Sequence, residues 1–390
     1  MSKKTIIIAV GVIVLLVIAI SIGIFFAIKT TEQISEIPAQ TSIETRLPEK
    51  STVKPRLSII SDQQVSFYWT VGDTIISVSS LINGQKSATS TQSILEKQIL
   101  YFNQNGQILK INDKEDEILS GRQIDGIQSI KSSKDGSQII VKHGVADSYR
   151  YEIFNVATKI WQALDNITAV DFSPDGSQIA YLENIKNSQT SNLIVKNLSG
   201  KKKTATIMAI NQKDFDLKWI APDKIFLVSK PSAFYQNEIW AISVKNKTLV
   251  MLGRDTGLIV NWAKDGSYGL KFSANQKGEG ALNLIDKEGA VKANLNFKTM
   301  PEKCAITVNK IYCAVSYERT TIKEPFLPDD YLKKAVYFSD FIYEVDINEN
   351  NFKTIFNETE PVLDAFNVSL FDDKILFMNK YDNKLYSLTL

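Results

Sequence analysis

The chain repeats one short phrase, and this repeat restricts the fold more than any other feature of the sequence. The phrase DFSPDGSQIAYL occupies residues 171–182, and it returns as IKSSKDGSQIIV at residues 130–141 and VNWAKDGSYGLKF at residues 260–272. In each copy two apolar runs flank an Asp-Gly pair. Asp-Gly in this position is a strong β-hairpin signal, because Gly accepts the positive φ of a tight turn without a steric penalty. The sequence therefore predicts one supersecondary unit that is used several times.

The spacing between successive turns sets the length of this unit. Gly136 and Gly176 are 40 residues apart, and the turns near Lys224, Gly266 and Asn309 follow at intervals of 48, 42 and 43 residues. A period of about 40–45 residues with four strands per unit is the signature of propeller blades. A single blade cannot bury both of its faces, so the blades must stack around an axis.

We predict an all-β fold, a seven-bladed β-propeller over residues 57–390. The units begin near Gln64, Ile127, Ile167, Phe215, Leu258, Glu302 and Val362. The last unit has three clear strands, and residues 57–61 form an orphan strand at the other end of the sequence. Pairing the two would close the ring and remove a sheet edge. Six or eight blades stay open as alternatives, because an irregular insertion interrupts the first unit at residues 81–94.

A transmembrane helix is predicted ahead of the repeats. The 24 residues from Thr5 to Ile28 contain no charge, and a helix of that length, about 36 Å, crosses a hydrocarbon core of about 30 Å. Lys3 and Lys4 precede it, which favours a cytoplasmic N-terminus. We expect residues 1–4 to be a cytoplasmic tip, residues 5–28 a single-pass signal anchor in the cell membrane, and residues 29–56 a flexible linker to an extracytoplasmic head. A cleaved signal peptide is the alternative.

The repeat phrases also carry a family resemblance. FSPDGSQIAYL, SSKDGSQIIV and WAKDGSYGLKF resemble the WD40-like repeat of TolB-type and dipeptidyl-peptidase-type β-propellers, over roughly residues 56–390. The resemblance implies the fold and leaves the ligand open. Peptidases of these families carry a hydrolase domain after the propeller, whereas this sequence ends at Leu390 inside the last predicted blade, so we expect no hydrolase domain. The order of anchor, linker and propeller is similar to that of membrane-anchored bacterial propeller proteins.

Composition argues against several kinds of site. The 45 basic and 43 acidic residues leave a net charge of +2, which gives no electrostatic footprint for nucleic acid. The one histidine, His143, excludes a multi-histidine zinc site, and the motifs of nucleotide-binding loops are missing. We expect no metal, no cofactor and no nucleic-acid partner, and we interpret His143 as a solvent-facing residue at the end of a strand.

The two cysteines lie in one predicted hairpin. Cys304 and Cys313 flank a turn near Asn309, and a turn centred there places them opposite each other. An oxidising compartment would allow a structural disulfide between them. A register slip of one residue would instead place them on opposite faces of the sheet.

Residues 317–339, YERTTIKEPFLPDDYLKKAVYFS, depart most from the repeat. They lengthen the loop between the second and third strands of the sixth unit, and long loops on rigid scaffolds are where binding residues concentrate. The alternative is a lid that covers the channel or its own blade. The candidate binding residues in this loop are Tyr317, Arg319, Phe326, Asp329, Asp330 and Tyr331.

Three aspartates form a second candidate set. Asp125, Asp165 and Asp255 each stand eleven residues before a turn glycine, at the predicted links between blades. They could form an acidic rim for a cation or a basic ligand. Alternatively, they are turn residues whose carboxylates cap nearby backbone N–H groups.

Taken together, these patterns predict a non-enzymatic, membrane-anchored propeller. It would act outside the cytoplasm as a binding or assembly scaffold for envelope proteins, peptides or glycans, in an oligomeric state that the sequence leaves open. The alternative is a glycan-active or other hydrolase with carboxylates at the channel mouth, because acid–base catalysis by two carboxylates needs no histidine.

Overall fold

The computed structural model describes residues 57–72 and 96–390, apart from 147, 200–203, 212–213, 276–279, 296, 318–324 and 350. Within the unit Val53–Leu390 it contains seven four-stranded antiparallel sheets. The predicted all-β, seven-bladed propeller is confirmed over the six- and eight-bladed alternatives. The predicted spanning segment 5–28, linker 29–56 and insertion 81–94 lie outside the described residues. Within the described ranges, no helix combines the length and the apolar character needed to cross a membrane.

Blades 1 to 6 are each built from four strands that are consecutive in the sequence. Several first strands of neighbouring blades contact one another around the axis. Blade 1 contains β2 (Val65–Val71), β3 (Gln98–Asn103), β4 (Ile108–Lys110) and β5 (Glu117–Ser120). Blade 2 contains β6 (Ile127–Ser132), β7 (Gln138–His143), β8 (Arg150–Asn155) and β9 (Ile160–Leu164). Blade 3 contains β10 (Ile167–Phe172), β11 (Gln178–Asn184), β12 (Ser191–Asn197) and β13 (Ala205–Ile210). Blade 4 contains β14 (Phe215–Ala221), β15 (Lys224–Ser229), β16 (Gln236–Ser243) and β17 (Thr248–Thr256).

The remaining blades follow the same plan, with one exception at the end of the chain. Blade 5 contains β18 (Ile259–Trp262), β19 (Tyr268–Ala274), β20 (Gly280–Asp286) and β21 (Val291–Asn294). Blade 6 contains β22 (Cys304–Ile306), β23 (Lys310–Ser316), β24 (Asp340–Asp346) and β25 (Asn351–Phe356). Blade 7 contains β26 (Ala365–Phe371), β27 (Lys374–Asn379), β28 (Lys384–Thr389) and β1 (Leu57–Ile59).

The two ends of the described chain close the ring. Strand β1 pairs antiparallel with β28, with Leu57 opposite Leu388, so a segment from the start of the sequence completes the last blade. Across the joint, the Tyr68 hydroxyl of blade 1 donates to the backbone oxygen of Leu376 in blade 7 at 2.9 Å. The predicted pairing of the orphan strand is therefore confirmed, and it removes two sheet edges.

The hydrophobic core lies between the blades. Seven buried clusters occupy the spaces between neighbouring sheets. In one of them Trp262 of blade 5 stacks on Phe226 of blade 4, with ring centroids 4.3 Å apart. Trp219 and Phe172 occupy the corresponding positions in two other clusters. Aromatic residues at the ends of the inner strands therefore hold the blades together.

The repeated Asp-Gly-Ser phrase fixes the turn between the first two strands of a blade. Asp175 accepts hydrogen bonds from the Ser173 hydroxyl at 2.5 Å and from the Ser177 backbone N–H at 3.1 Å, while Gly176 has a φ of +71°. The Ser173 hydroxyl in turn accepts from the Gln178 N–H at 2.9 Å. The Asp-Gly-Ser part of the phrase therefore serves backbone geometry.

Strand direction divides the propeller into two faces. Because the strands alternate in direction, the turns between first and second strands leave at one rim, which we call the turn face. The loops between second and third strands, together with the links between blades, leave at the opposite rim. Residues 317–339 connect β23 to β24 at that rim, which we call the insertion face.

A disulfide joins Cys304 and Cys313, which are directly opposite in the β22–β23 ladder with Cα atoms 4.1 Å apart. We expect reduction to lower the free energy of unfolding by about 2–3 kcal/mol, because the bond closes a short loop in the unfolded chain. Denaturant titration with and without reductant would measure this, and intact mass would report the bond itself. The double variant Cys304→Ala/Cys313→Ala should match the reduced protein; an unchanged mass on reduction would contradict the disulfide.

Candidate functional site at the insertion face

The described part of the insertion, residues 317 and 325–339, is packed onto several blades. Leu327 and Tyr331 belong to the buried cluster between blades 5 and 6. The Phe326 ring lies 5.4 Å from the ring of Phe234 in blade 4, and the Asp329 carboxylate accepts a backbone hydrogen bond from the same blade. The described part of the insertion is therefore a fitted element of the insertion face, whose exposed side chains are held in position.

The predicted candidate residues of the insertion have mainly local partners. Asp330 accepts a hydrogen bond from the Phe326 N–H at 2.8 Å, next to the short helix α1 (Asp329–Leu332), and Asp329 lies 3.6 Å from Lys333. Tyr317 stacks on Phe341, with centroids 4.1 Å apart. These contacts shape the insertion, and Arg319 lies outside the described residues.

A buried ionic cluster ties the insertion to blades 6 and 7. The Lys303 ammonium donates to Asp340 Oδ2 at 2.6 Å and to Asp364 Oδ1 at 2.5 Å. The Tyr331 hydroxyl donates to the same Asp364 oxygen at 2.9 Å. None of these four residues is more than 2% exposed. Tyr331, predicted as a ligand-binding residue, thus turns its side chain inward, because its hydroxyl completes this cluster.

Burial sets the electrostatics of the cluster. It raises the pKa of Asp340 to about 6, and the neighbouring Asp364 carboxylate acts in the same direction, while Lys303 opposes both. Burial and the two carboxylates hold the pKa of Tyr331 well above its ordinary value. Lys380, whose Nζ lies 2.9 Å from the centroid of the Tyr331 ring, has its pKa lowered to about 8 by burial.

The raised pKa of Asp340 predicts a pH dependence of stability. Because the folded protein holds the Asp340 proton more tightly than the unfolded chain, the wild type loses stability as pH rises from about 4 through about 6. The variant Asp340→Asn lacks this titration, so its stability relative to wild type should increase over that range. Denaturant titrations at several pH values would measure the difference, with exposed Asp373→Asn as a control. A difference that does not change with pH would contradict the prediction.

The structure places the three candidate aspartates at separate blade junctions. Asp125 and Asp165 are exposed, and Asp255 in β17 forms an ion pair with Lys271 at 2.6 Å. Across the described part of the chain, no group of three or more His, Cys, Asp or Glu residues is arranged to hold a metal ion. The aspartates therefore do not form one cluster.

The sequence-based interpretation of His143 as a solvent-facing residue is wrong. Its side chain is buried at the end of β7, and Nε2 lies 3.3 Å from Glu152 Oε1. Glu152 is also held by the Arg122 guanidinium at 2.7 and 2.9 Å. The position at a strand end suggested exposure, but the β7–β8 pairing places the imidazole beside this carboxylate.

The insertion face carries a group of exposed apolar side chains that the sequence did not reveal. Phe234 and Tyr235 are 60% and 74% exposed, and the rings of Tyr337 and Tyr381 lie 5.4 Å apart. In its described turns and at the chain end, the turn face exposes Val308 and Leu390 among large hydrophobic side chains. Further exposed ones lie on outer strands: Ile59, Ile118, Ile160, Leu249, Val250, Met251, Leu252, Val291 and Phe352. The described loops and links of the insertion face expose Val145, Tyr149, Ile185, Phe234, Tyr235, Leu332, Tyr337, Val362 and Tyr381.

Comparison with known proteins shows similarity in the fold alone. No family model and no curated protein matches the sequence. The propeller domain of Cps50 (Swd1) from Myceliophteria thermophila is 6% identical with a TM-score of 0.50, covering 86% of this chain and 100% of that one. The tricorn protease is 10% identical with a TM-score of 0.49, covering 88% of this chain and 34% of its own. The propeller domain of the trilobed protease from Pyrococcus furiosus is 11% identical with a TM-score of 0.44, covering 66% and 79%.

Proposed function

We propose that this chain is a membrane-anchored, extracytoplasmic propeller that binds a protein of the cell envelope through its insertion face and serves as an assembly scaffold. The observation that carries the proposal is that the described loops and links of the insertion face expose nine large apolar side chains, against two in the described turns and chain end of the turn face. Clustered apolar and aromatic side chains on a surface mark interaction sites, and aromatic residues supply much of the binding energy of protein interfaces. Among envelope proteins, peptides and glycans, this mixture of Phe, Tyr, Ile, Leu and Val favours a protein.

The rigidity of the face supports the same proposal. Tyr331 and the buried Lys303 cluster hold the insertion against blades 6 and 7. Because this part of the surface is already ordered, a partner would lose less free energy to loop ordering on binding.

The described propeller chain starts and ends on the turn face. Leu57 pairs with Leu388 at the turn-face end of blade 7, and Leu390 also lies at that end, where its N–H donates to Asp373 O at 2.8 Å. The polypeptide before Leu57 therefore joins the propeller on the turn face. The anchor predicted at residues 5–28 would be connected there, and the membrane location rests on that sequence segment.

Hydrolysis by paired carboxylates is the alternative function. Asp340 and Asp364 both accept hydrogen bonds from Lys303, and the pKa of Asp340 is raised. A glycosidase pair must reach a bound substrate, but both of these side chains are fully buried. Their burial makes them a structural pair and supports binding over hydrolysis.

The proposal is tested by removing exposed rings without disturbing the buried cluster. We expect the full-length triple variant Tyr235→Ser/Tyr337→Ser/Tyr381→Ser to recover about tenfold less, or lower, of its native partners in quantitative cross-linking and capture. Loss of a single hot-spot aromatic residue costs about 2 kcal/mol or more, which exceeds a tenfold change in affinity. The matched control is Val308→Ser on the turn face. Unfolding should change little in either variant, because the substituted side chains are exposed. Equal partner recovery by the triple variant and wild type would refute the proposed face.

A further inference from the structure

A cavity of about 220 Å³ lies on the turn face, at the mouth of the channel that is opposite the insertion face. The inner strands of blades 2 to 5 and the turns that follow them line it. Its volume lies below the roughly 300–1,000 Å³ of sites for drug-sized ligands, so it suits a small group and not a polypeptide segment.

The cavity walls carry more positive than negative charge. Lys134 of blade 2, Lys218 of blade 4 and Lys264 of blade 5 line it, against a single carboxylate, Asp171 of blade 3. Burial raises the pKa of Asp171, and the charges of Lys131 and Lys218 oppose this shift. Three lysines from three blades thus line the cavity together with one carboxylate.

Contacts across the channel hold several of these groups in place. Lys131 of blade 2 reaches Asp216 of blade 4 at 2.6 Å and the backbone oxygen of Leu217 at 2.7 Å. Lys218 lies 3.7 Å from the same Asp216 carboxylate. On another side, Lys264 Nζ lies 3.3 Å from the Thr70 hydroxyl of blade 1. The ammonium groups of Lys218 and Lys264 therefore have protein contacts before any ligand arrives, which lowers the ordering cost of binding.

Neutral polar groups complete the lining. Asn261 of blade 5 and Ser132 of blade 2 lie on the wall with the lysines, and their side chains can donate hydrogen bonds to an anion. Pro174 and Ile220 add apolar surface. Concave sites of this kind, with a few convergent polar groups on an apolar wall, are typical of small-molecule sites.

We propose that this cavity binds the oxyanion group of a small ligand, a carboxylate or a phosphate, with Lys218 and Lys264 as its principal cationic contacts. The site is separate from the insertion face and does not depend on the function proposed for that face. It would give the propeller a second ligand site, at the turn-face end of the channel.

The test is isothermal titration calorimetry of the full-length protein with inorganic phosphate and, separately, with citrate at low ionic strength. We expect a Kd near or below about 1 mM for at least one of them, and weaker binding as NaCl is added, because screening reduces charge interactions. Binding of phosphate alone, of citrate alone or of both supports the site and identifies its oxyanion class. Binding of neither overturns it.

Two substitutions with opposite expected signs separate an anion site from a general effect on folding. Lys218→Gln should weaken binding by about tenfold, whereas Asp171→Asn should strengthen it several-fold, because a competing negative charge is removed. Exposed Lys159→Gln, in a turn of blade 2 on the same face, is the matched control. Equal affinities for the Lys218→Gln and Lys159→Gln variants, or weakening by Asp171→Asn, would overturn the proposal.

Discussion

Replacing Lys303 by Met should lower the free energy of unfolding by about 3–5 kcal/mol, because it leaves a buried carboxylate pair without its cation. Lys303 is 1% exposed and donates to both Asp340 and Asp364, at 2.6 and 2.5 Å. Met keeps most of the length and apolar volume of the lysine, so the loss reports the charge and not a cavity. Chemical denaturation at neutral pH would measure it.

The matched control lies in the same blade. Lys310 pairs with Glu344 at 2.7 Å, but its side chain is 42% exposed, so Lys310→Met should cost no more than about 1 kcal/mol. The triple variant Lys303→Met/Asp340→Asn/Asp364→Asn should regain part of the lost stability, because it removes the unpaired charges. If the two variants Lys303→Met and Lys310→Met lost equal free energy of unfolding, the proposed structural role of the buried ionic cluster would be contradicted.

The second large loss of stability is expected at a turn glycine of blade 5 that contacts the preceding blade. Gly266 has a φ of +70°, and a Cβ at this position would lie 2.3 Å from the Ile220 backbone oxygen of blade 4. Gly266→Ala should therefore cost about 1–2 kcal/mol for the left-handed conformation and a further 1–3 kcal/mol or so for the forced shift of the backbone.

Gly176 provides an internal comparison for this effect. It occupies the same position of the repeated phrase with a φ of +71°, but its added Cβ would meet only the Ser133 side chain at 3.5 Å. Gly176→Ala should show the conformational cost alone, about 1–2 kcal/mol. Thermal and denaturant unfolding of the two variants would measure the difference. A larger loss for Gly176→Ala than for Gly266→Ala would contradict the proposed blade-to-blade contact.

The repeat phrase contained enough information to predict the architecture. Its Asp-Gly-Ser turn and the period between turns depend on local backbone geometry, which neighbouring residues largely determine. For this reason the seven units, the ends of β10 and β15, and the pairing of Leu57 into the last blade were predictable. The opposition of Cys304 and Cys313 followed from the length of one hairpin in the same way.

The candidate site could be predicted only in part, because its central contacts join residues far apart in the sequence. Lys303, Tyr331, Asp340 and Asp364 come from four different segments. A tyrosine in a long polar loop resembles a ligand-binding residue, and only its burial identifies it as a partner of Asp364. The position of the insertion on the rim was predictable from topology, whereas the inward turn of Tyr331 was not.

The exposed apolar surface of the insertion face was missed for a related reason. Phe234 and Tyr235 stand in a loop between β15 and β16, and Tyr381 stands in a loop between β27 and β28. Each would ordinarily be assigned to the core, because nothing local distinguishes an exposed ring from a buried one. A search for aromatic residues in successive loops between second and third strands could have found the pattern.

The central claim, that the insertion face is the binding face, is tested most directly by site-specific photo-cross-linking in living cells. A photoreactive amino acid would replace Tyr235 or Tyr337 on the insertion face, or Val308 on the turn face, in the full-length protein. We predict cross-links to a common protein partner from Tyr235 and Tyr337, and not from Val308. Cross-links to a protein partner from Val308, with none from Tyr235 and Tyr337, would contradict the claim.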